Sequence, residues 1–107
     1  MLERLKVRIP DIDETLAEEL IKTATDRILL RVGLRQESLP DELESIGVEI
    51  VTAMYNRHQM NHEGVTEEKV DVFSIRFIDD LLRPYEAELL EYREMLKDDE
   101  DRKVRFL

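Results

Sequence analysis

Residues 77–85 read FIDDLLRPY, from Phe77 to Tyr85, and their reading decides how the second half of the chain is built. Just upstream, Val70 to Phe77 (VDVFSIRF) is rich in β-branched and aromatic residues, and Phe73, Ile75 and Phe77 alternate with Ser74 and Arg76. That period of two predicts a strand ending near Phe77. Asp79 or Asp80 then offers a carboxylate to the orphan N–H groups of a helix start, and Pro84 suits a first turn, where its missing N–H would be unpaired anyway. The stretch therefore reads as a strand-to-helix junction. The helix that follows, about Pro84 to Lys97, places Tyr85, Leu89, Tyr92 and Leu96 on one side and leaves Glu88 and Glu91 in solvent.

Working outward, Asp13 to Val32 carries Leu16, Ala17, Leu20, Ile21, Ala24, Ile28 and Val32 at the three-and-four spacing of an amphipathic helix. Asp11 followed by Glu14 resembles a capping box, Asp13 is an equally good cap, and Gly33 supplies a left-handed C-cap. A short linker, Leu34 to Leu39, leads to Pro40, which suits the first position of a second helix. Its stripe is Leu43, Ile46, Ile50, Val51, Met54 and Tyr55. Gly47 lies on the same face, costs about 1 kcal/mol of helix propensity relative to Ala, and points to a close approach of another helix. Asn61 to Lys69 is polar and lacks a helical period, hence a loop, in which Gly64 to Glu67 could pair with VDVFSIRF as a hairpin. At the start of the chain, Leu5, Val7 and Ile9 alternate with Lys6 and Arg8, yet Glu3 to Lys6 equally suits a helical turn, so that segment stays unassigned. The expected fold is mainly α: a small three-helix bundle with a short strand or hairpin between helices 2 and 3. Residues 1–97 form one domain, and 98–107 form a charged linker and extended apolar tail.

Composition narrows the function. At 107 residues the chain has room for one modest core. Sixteen Lys and Arg against 26 Asp and Glu give a net charge of −10, which disfavours binding driven by phosphate neutralisation. There is no Cys, so disulfides and thiolate metal sites are excluded. No apolar run approaches the roughly 20 residues that span a bilayer, and MLERLKVRIP lacks the apolar core of a signal peptide, so a soluble, unprocessed protein with no membrane partner is expected.

Catalytic signatures are missing: no Gly-rich phosphate loop and no nucleophile elbow occur. His58 and His62 have the spacing that puts two imidazoles on one helical face, but Glu63 is the only nearby third ligand, and two solvated histidines are the simpler reading. Asp79 and Asp80 could form a carboxylate pair, yet adjacent acids at a helix start are usually caps. Arg57, Arg83 and Arg93 are scattered among acids rather than gathered into a nucleic-acid patch, and Tyr55, Tyr85 and Tyr92 sit on apolar stripes as core residues. Neither a catalytic residue nor a cofactor or metal site is expected.

Two segments look incomplete by themselves. A lone strand is marginal in water, so VDVFSIRF must pack on its own bundle or pair with another chain; Val65, Val70, Val72, Phe73 and Ile75 are its candidate contacts. Lys97 to Arg102 (KDDEDR) is too polar to bury, and Val104, Arg105, Phe106 and Leu107 follow it with nothing local to pack on. These four are the second candidate binding segment.

The order of these parts resembles the small head-tail connector proteins of tailed phages. The resemblance runs from about Asp13 to Met95 and is carried by LPDELESIGVEIVTAMYNRHQ with its Tyr55-Asn56-Arg57 triplet, by the EGVTEEK loop that opens Glu63 to Phe77, and by the DDLLRPYE junction. It implies a non-enzymatic helical protein that assembles in the host cytoplasm as a dodecameric ring beneath the portal, extends the DNA channel and docks the next connector or tail component. It also implies that the loop and strand from Glu63 to Phe77 face a neighbouring subunit or the downstream connector, and that the last residues reach the portal. An acidic lumen would let DNA slide through without specific binding. The competing reading, from the charge alone, is a small acidic regulator that covers a basic partner surface.

Overall fold

The computed structural model describes the backbone of residues 1–63 and 75–105 and the side chains of residues 1–60 and 76–98. The elements run α1 (Leu2–Arg8), α2 (Glu14–Val32), α3 (Asp41–Glu63), α4 (Ile75–Leu82), a 3-10 turn (Arg83–Tyr85) and α5 (Glu86–Arg105). None of the helices in the described residues is long and apolar enough to cross a membrane.

α2 forms where its pattern predicts. Asp13 is the cap, its carboxylate accepting the Leu16 N–H at 3.2 Å. Gly33 closes the helix at φ 80°, and both its own N–H and that of Leu34 return to the Leu29 carbonyl. Leu20, Ala24, Ile28 and Val32 are buried, and α2 is the central helix against which α1, α3, α4 and α5 all pack. α3 starts at Asp41, one residue later than expected, with the Pro40 carbonyl accepting the Leu43 N–H at 2.9 Å. All six residues of its predicted stripe are buried. Tyr55 ties the two helices together: its hydroxyl accepts the Asp13 backbone N–H at 2.9 Å.

The unassigned N-terminal segment is helix α1, with Leu5 wholly buried and Val7 82% exposed. It explains Gly47. What occupies the space beside that glycine is a pair of side chains rather than another helix backbone, since a Cβ there would lie 2.6 Å from Leu39 Cδ1 and 2.7 Å from Met1 Cε. The Met1 amino group pairs with Glu44 at 3.1 Å, and Arg4 donates to the Ser45 hydroxyl at 2.9 Å.

The largest correction concerns the strand. No strand occurs among the described residues, and Ile75, Arg76 and Phe77 form the opening turn of α4. Alternation over Phe73, Ile75 and Phe77 competes with a helical spacing that begins at the same place: Ile78 and Leu82 are 1% and 0% exposed, with Phe77 and Leu81 half-buried beside them. Burying that face against α2 and α3 stabilises a helix, which satisfies its own backbone, where a single strand would leave both edges unpaired. Asp79 and Asp80 accordingly lie inside α4 and are not caps; the 3-10 turn that follows has no side-chain cap and carries Pro84 in its first positions. The expected extended tail is also overturned as far as Arg105, because α5 continues without a break through residues 98–105. The fold measures 58 × 27 × 21 Å, and the 20 residues of α5 alone account for about 30 Å of rise.

Candidate assembly surfaces

The corner between α4 and α5 is fixed by charge as well as by packing. Arg31, in the last turn of α2, donates through Nη2 to Asp79 Oδ1 at 2.7 Å and through Nη1 to Glu86 Oε1. One guanidinium thus pins the last turn of α2 to α4 and to the first residue of α5. A cation in that turn also faces the negative end of the α2 dipole, which adds to the attraction. On the other side, the Tyr85 hydroxyl donates to the Glu49 carboxylate of α3. That bond favours the protonated phenol, and together with burial and the nearby charges of Glu49 and Glu88 it pushes the Tyr85 pKa up to about 12. Arg57 of α3 lies over the Phe77 ring at 5.4 Å, a cation–π contact that orients the start of α4. Asp80 pairs with Arg83 at 3.0 Å on the outside of the corner.

With the corner fixed, α5 packs mainly on α2, and an open groove of about 140 Å³ lies between α5 and α3. Its floor is apolar, made by Leu43 and Ile46 of α3 and Tyr92 and Met95 of α5. Glu42, Glu88 and Glu91 form the rim. Burial, and secondarily the charge of Glu42, raises the Tyr92 pKa. Met95 is 58% exposed and Leu90, on the outer side of α5, is 55% exposed. A second groove, about 310 Å³, is lined by Leu29, Leu30 and Leu34 with Asp26 and Gln36.

Of the segments that sequence reasoning singled out, Val65, Val70, Val72 and Phe73 lie outside the described residues, as do Phe106 and Leu107. Ile75 opens α4, while Val104 and Arg105 belong to the backbone of α5; the side chains of these three lie outside the description. The contacts expected of them are therefore not placed. His58 is partly buried on α3, the His62 side chain lies outside the described residues, and no group of three potential metal ligands occurs among the described ones. Sequence reasoning missed Arg31 and the groove. Nothing local marks Arg31, whose partners lie 48 and 55 residues away. The groove left a trace: Glu88, Glu91 and Met95 flank the Leu89–Tyr92–Leu96 stripe at three- and four-residue steps.

The profile of the phage gp6-like head-tail connector protein family matches residues 3–93, from α1 into the second turn of α5. No curated protein and no solved structure matches the chain.

Proposed function

Because the chain belongs to the phage gp6-like head-tail connector family, a structural component of phage particles, we propose that it acts as a ring of identical subunits seated beneath the portal. The ring, a dodecamer in this reading, extends the channel through which DNA passes and presents its far side to the next connector or tail protein. Subunits are made in the host cytoplasm and end in the virion at the head-tail interface, where they work without a catalytic step. The observation that carries the proposal is the family match, which spans four of the six elements in full, all but the first residue of α1, and the start of α5.

Two physical features support it. The corner held by Arg31, Tyr85 and Arg57 fixes the direction of α5 relative to the bundle, as an adaptor that must present a surface at a set angle requires. The net charge of −10 suits a channel wall that does not hold a polyanion. A phage lacking this protein tests the reading. Heads should fill with DNA and remain tailless, with tails restored when the protein is supplied in trans; normal tailed particles without it would contradict the proposal.

A further inference from the structure

We infer that the α3–α5 groove is the receptor for the segment Arg102–Leu107 of a second copy of this chain, with Phe106 as the anchoring ring. The segment lies beyond residues 3–93 and is not covered by the family match. The inference deepens the ring reading and rests on it only for the closure of the contacts into a ring.

Three observations point to this occupant. The first is size. A groove of about 140 Å³ has the volume of an apolar cavity that takes one benzene ring, roughly 150 Å³, and the segment carries one aromatic residue. The second is charge. Among the described residues no cation forms an ion pair with Glu42, Glu88 or Glu91, so three carboxylates surround an apolar floor without a partner. In a chain of net charge −10, RKVRFL places Arg102, Lys103 and Arg105 within six residues and contains no acid. The comparable cations of α1 are partly engaged at home, Arg4 with Glu44 and Lys6 with Glu14. In the larger groove on α2, Asp26 is already paired with Lys22 at 2.7 Å, so the same complementarity is missing there.

The third observation is direction. α5 forms one wall of the groove through Met95 and then continues as helix to Arg105. Ten further helical residues carry the chain about 15 Å past Met95. Along that direction α5 leads away from the chain's own groove, which leaves the groove of another copy open to the segment. Donor segment and acceptor groove are different surfaces, which makes the contact head-to-tail, the kind that closes into a ring when the rotation between subunits allows.

The absence of native Cys permits a direct test with single-cysteine variants of the full chain. Leu107→Cys chains are mixed under mild oxidation with Met95→Cys chains, and in parallel with Leu30→Cys chains, whose position is 72% exposed on α2. The groove pairing should form heterodimer several-fold faster than the Leu30 pairing. Added salt should slow it, and so should Phe106→Ala in the donor. A Glu91→Lys acceptor should lose the preference and regain it with an Arg105→Glu donor. Equal yields at the two acceptor positions, or a preference indifferent to Phe106 and to the charge exchange, would overturn the inference. The protein is used alone, so failure of portal binding leaves this outcome readable, and failure here leaves the portal-ring reading standing.

Discussion

Replacing Arg31 with Met keeps most of the aliphatic stem and removes both charge-assisted bonds at the α2–α4–α5 corner. The Arg31 side chain is 28% exposed, while Asp79 and Glu86 are 44% and 59% exposed, so solvent screening limits each pair to about 0.2–1 kcal/mol. The lost cation at the α2 C-terminus adds about 0.3–1 kcal/mol. The variant should therefore be less stable by about 1–2 kcal/mol, a fall in Tm of roughly 5–10 °C for a domain of this size. Thermal melts of a double-mutant cycle with Asp79→Asn isolate the pair. Asp79→Asn should destabilise the parent chain and be nearly silent in the Arg31→Met background, with a coupling of about 0.5–1 kcal/mol that shrinks in roughly 1 M salt. An Asp79→Asn loss of equal size in both backgrounds would show that Asp79 acts without Arg31 and would refute the clamp.

Three other outcomes follow from the same geometry. Tyr55→Phe removes the acceptor of the part-buried Asp13 N–H and should cost about 0.5–1.5 kcal/mol in urea unfolding; an unchanged midpoint would mean that water replaces the hydroxyl freely. Gly33→Ala meets no atom within 4 Å but forces a side chain to φ 80°, so a loss of about 1 kcal/mol, from backbone strain alone, is expected in the same assay. Tyr85 keeps its proton in the folded state until about 12, whereas the unfolded phenol titrates near 10.0, so this group's contribution to stability is complete below 10.0 and is lost as pH rises toward 12. Glu49→Gln should bring the Tyr85 titration, followed by tyrosinate absorbance, back toward 10.0; an unmoved curve would assign the shift to burial and the Glu88 charge instead.

The helices α2 and α3 were legible because their information is local. The apolar spacing, the Asp13 cap and the Gly33 terminus each act within a turn of where they stand, and the buried set from Leu20 to Val32 follows from them. At Ile75–Phe77 two periods overlapped. The alternating reading stopped at Phe77, while the residues that decide, Ile78 and Leu82, come after it and gain their stability from burial against α2 and α3. Asp79 was misread for a related reason: a carboxylate near a presumed helix start looks like a cap, and its actual partner is 48 residues away. α1 was ambiguous because Leu5, Val7 and Ile9 alternate with Lys6 and Arg8 while Glu3 to Lys6 suits a helical turn; the helix places Leu5 in the core against α2 and α3. Residues 98–105 read as a solvated linker by charge, yet Asp, Glu, Lys and Arg tolerate a helix that is already nucleated, so α5 propagates through them. The groove depends on how far α5 stands from α3, a tertiary distance that no single stripe encodes.

Electron microscopy of the purified protein mixed with portal rings of the same phage, with the protein alone as control, shows whether the chain forms a ring on the portal. A collar of added density is expected on the outer end of the portal, coaxial with its channel and repeating with the ring symmetry. Bare portals at every salt and protein concentration, alongside a chain that instead captures a basic nucleic-acid-binding protein in a strongly salt-dependent manner, would contradict the portal-ring reading.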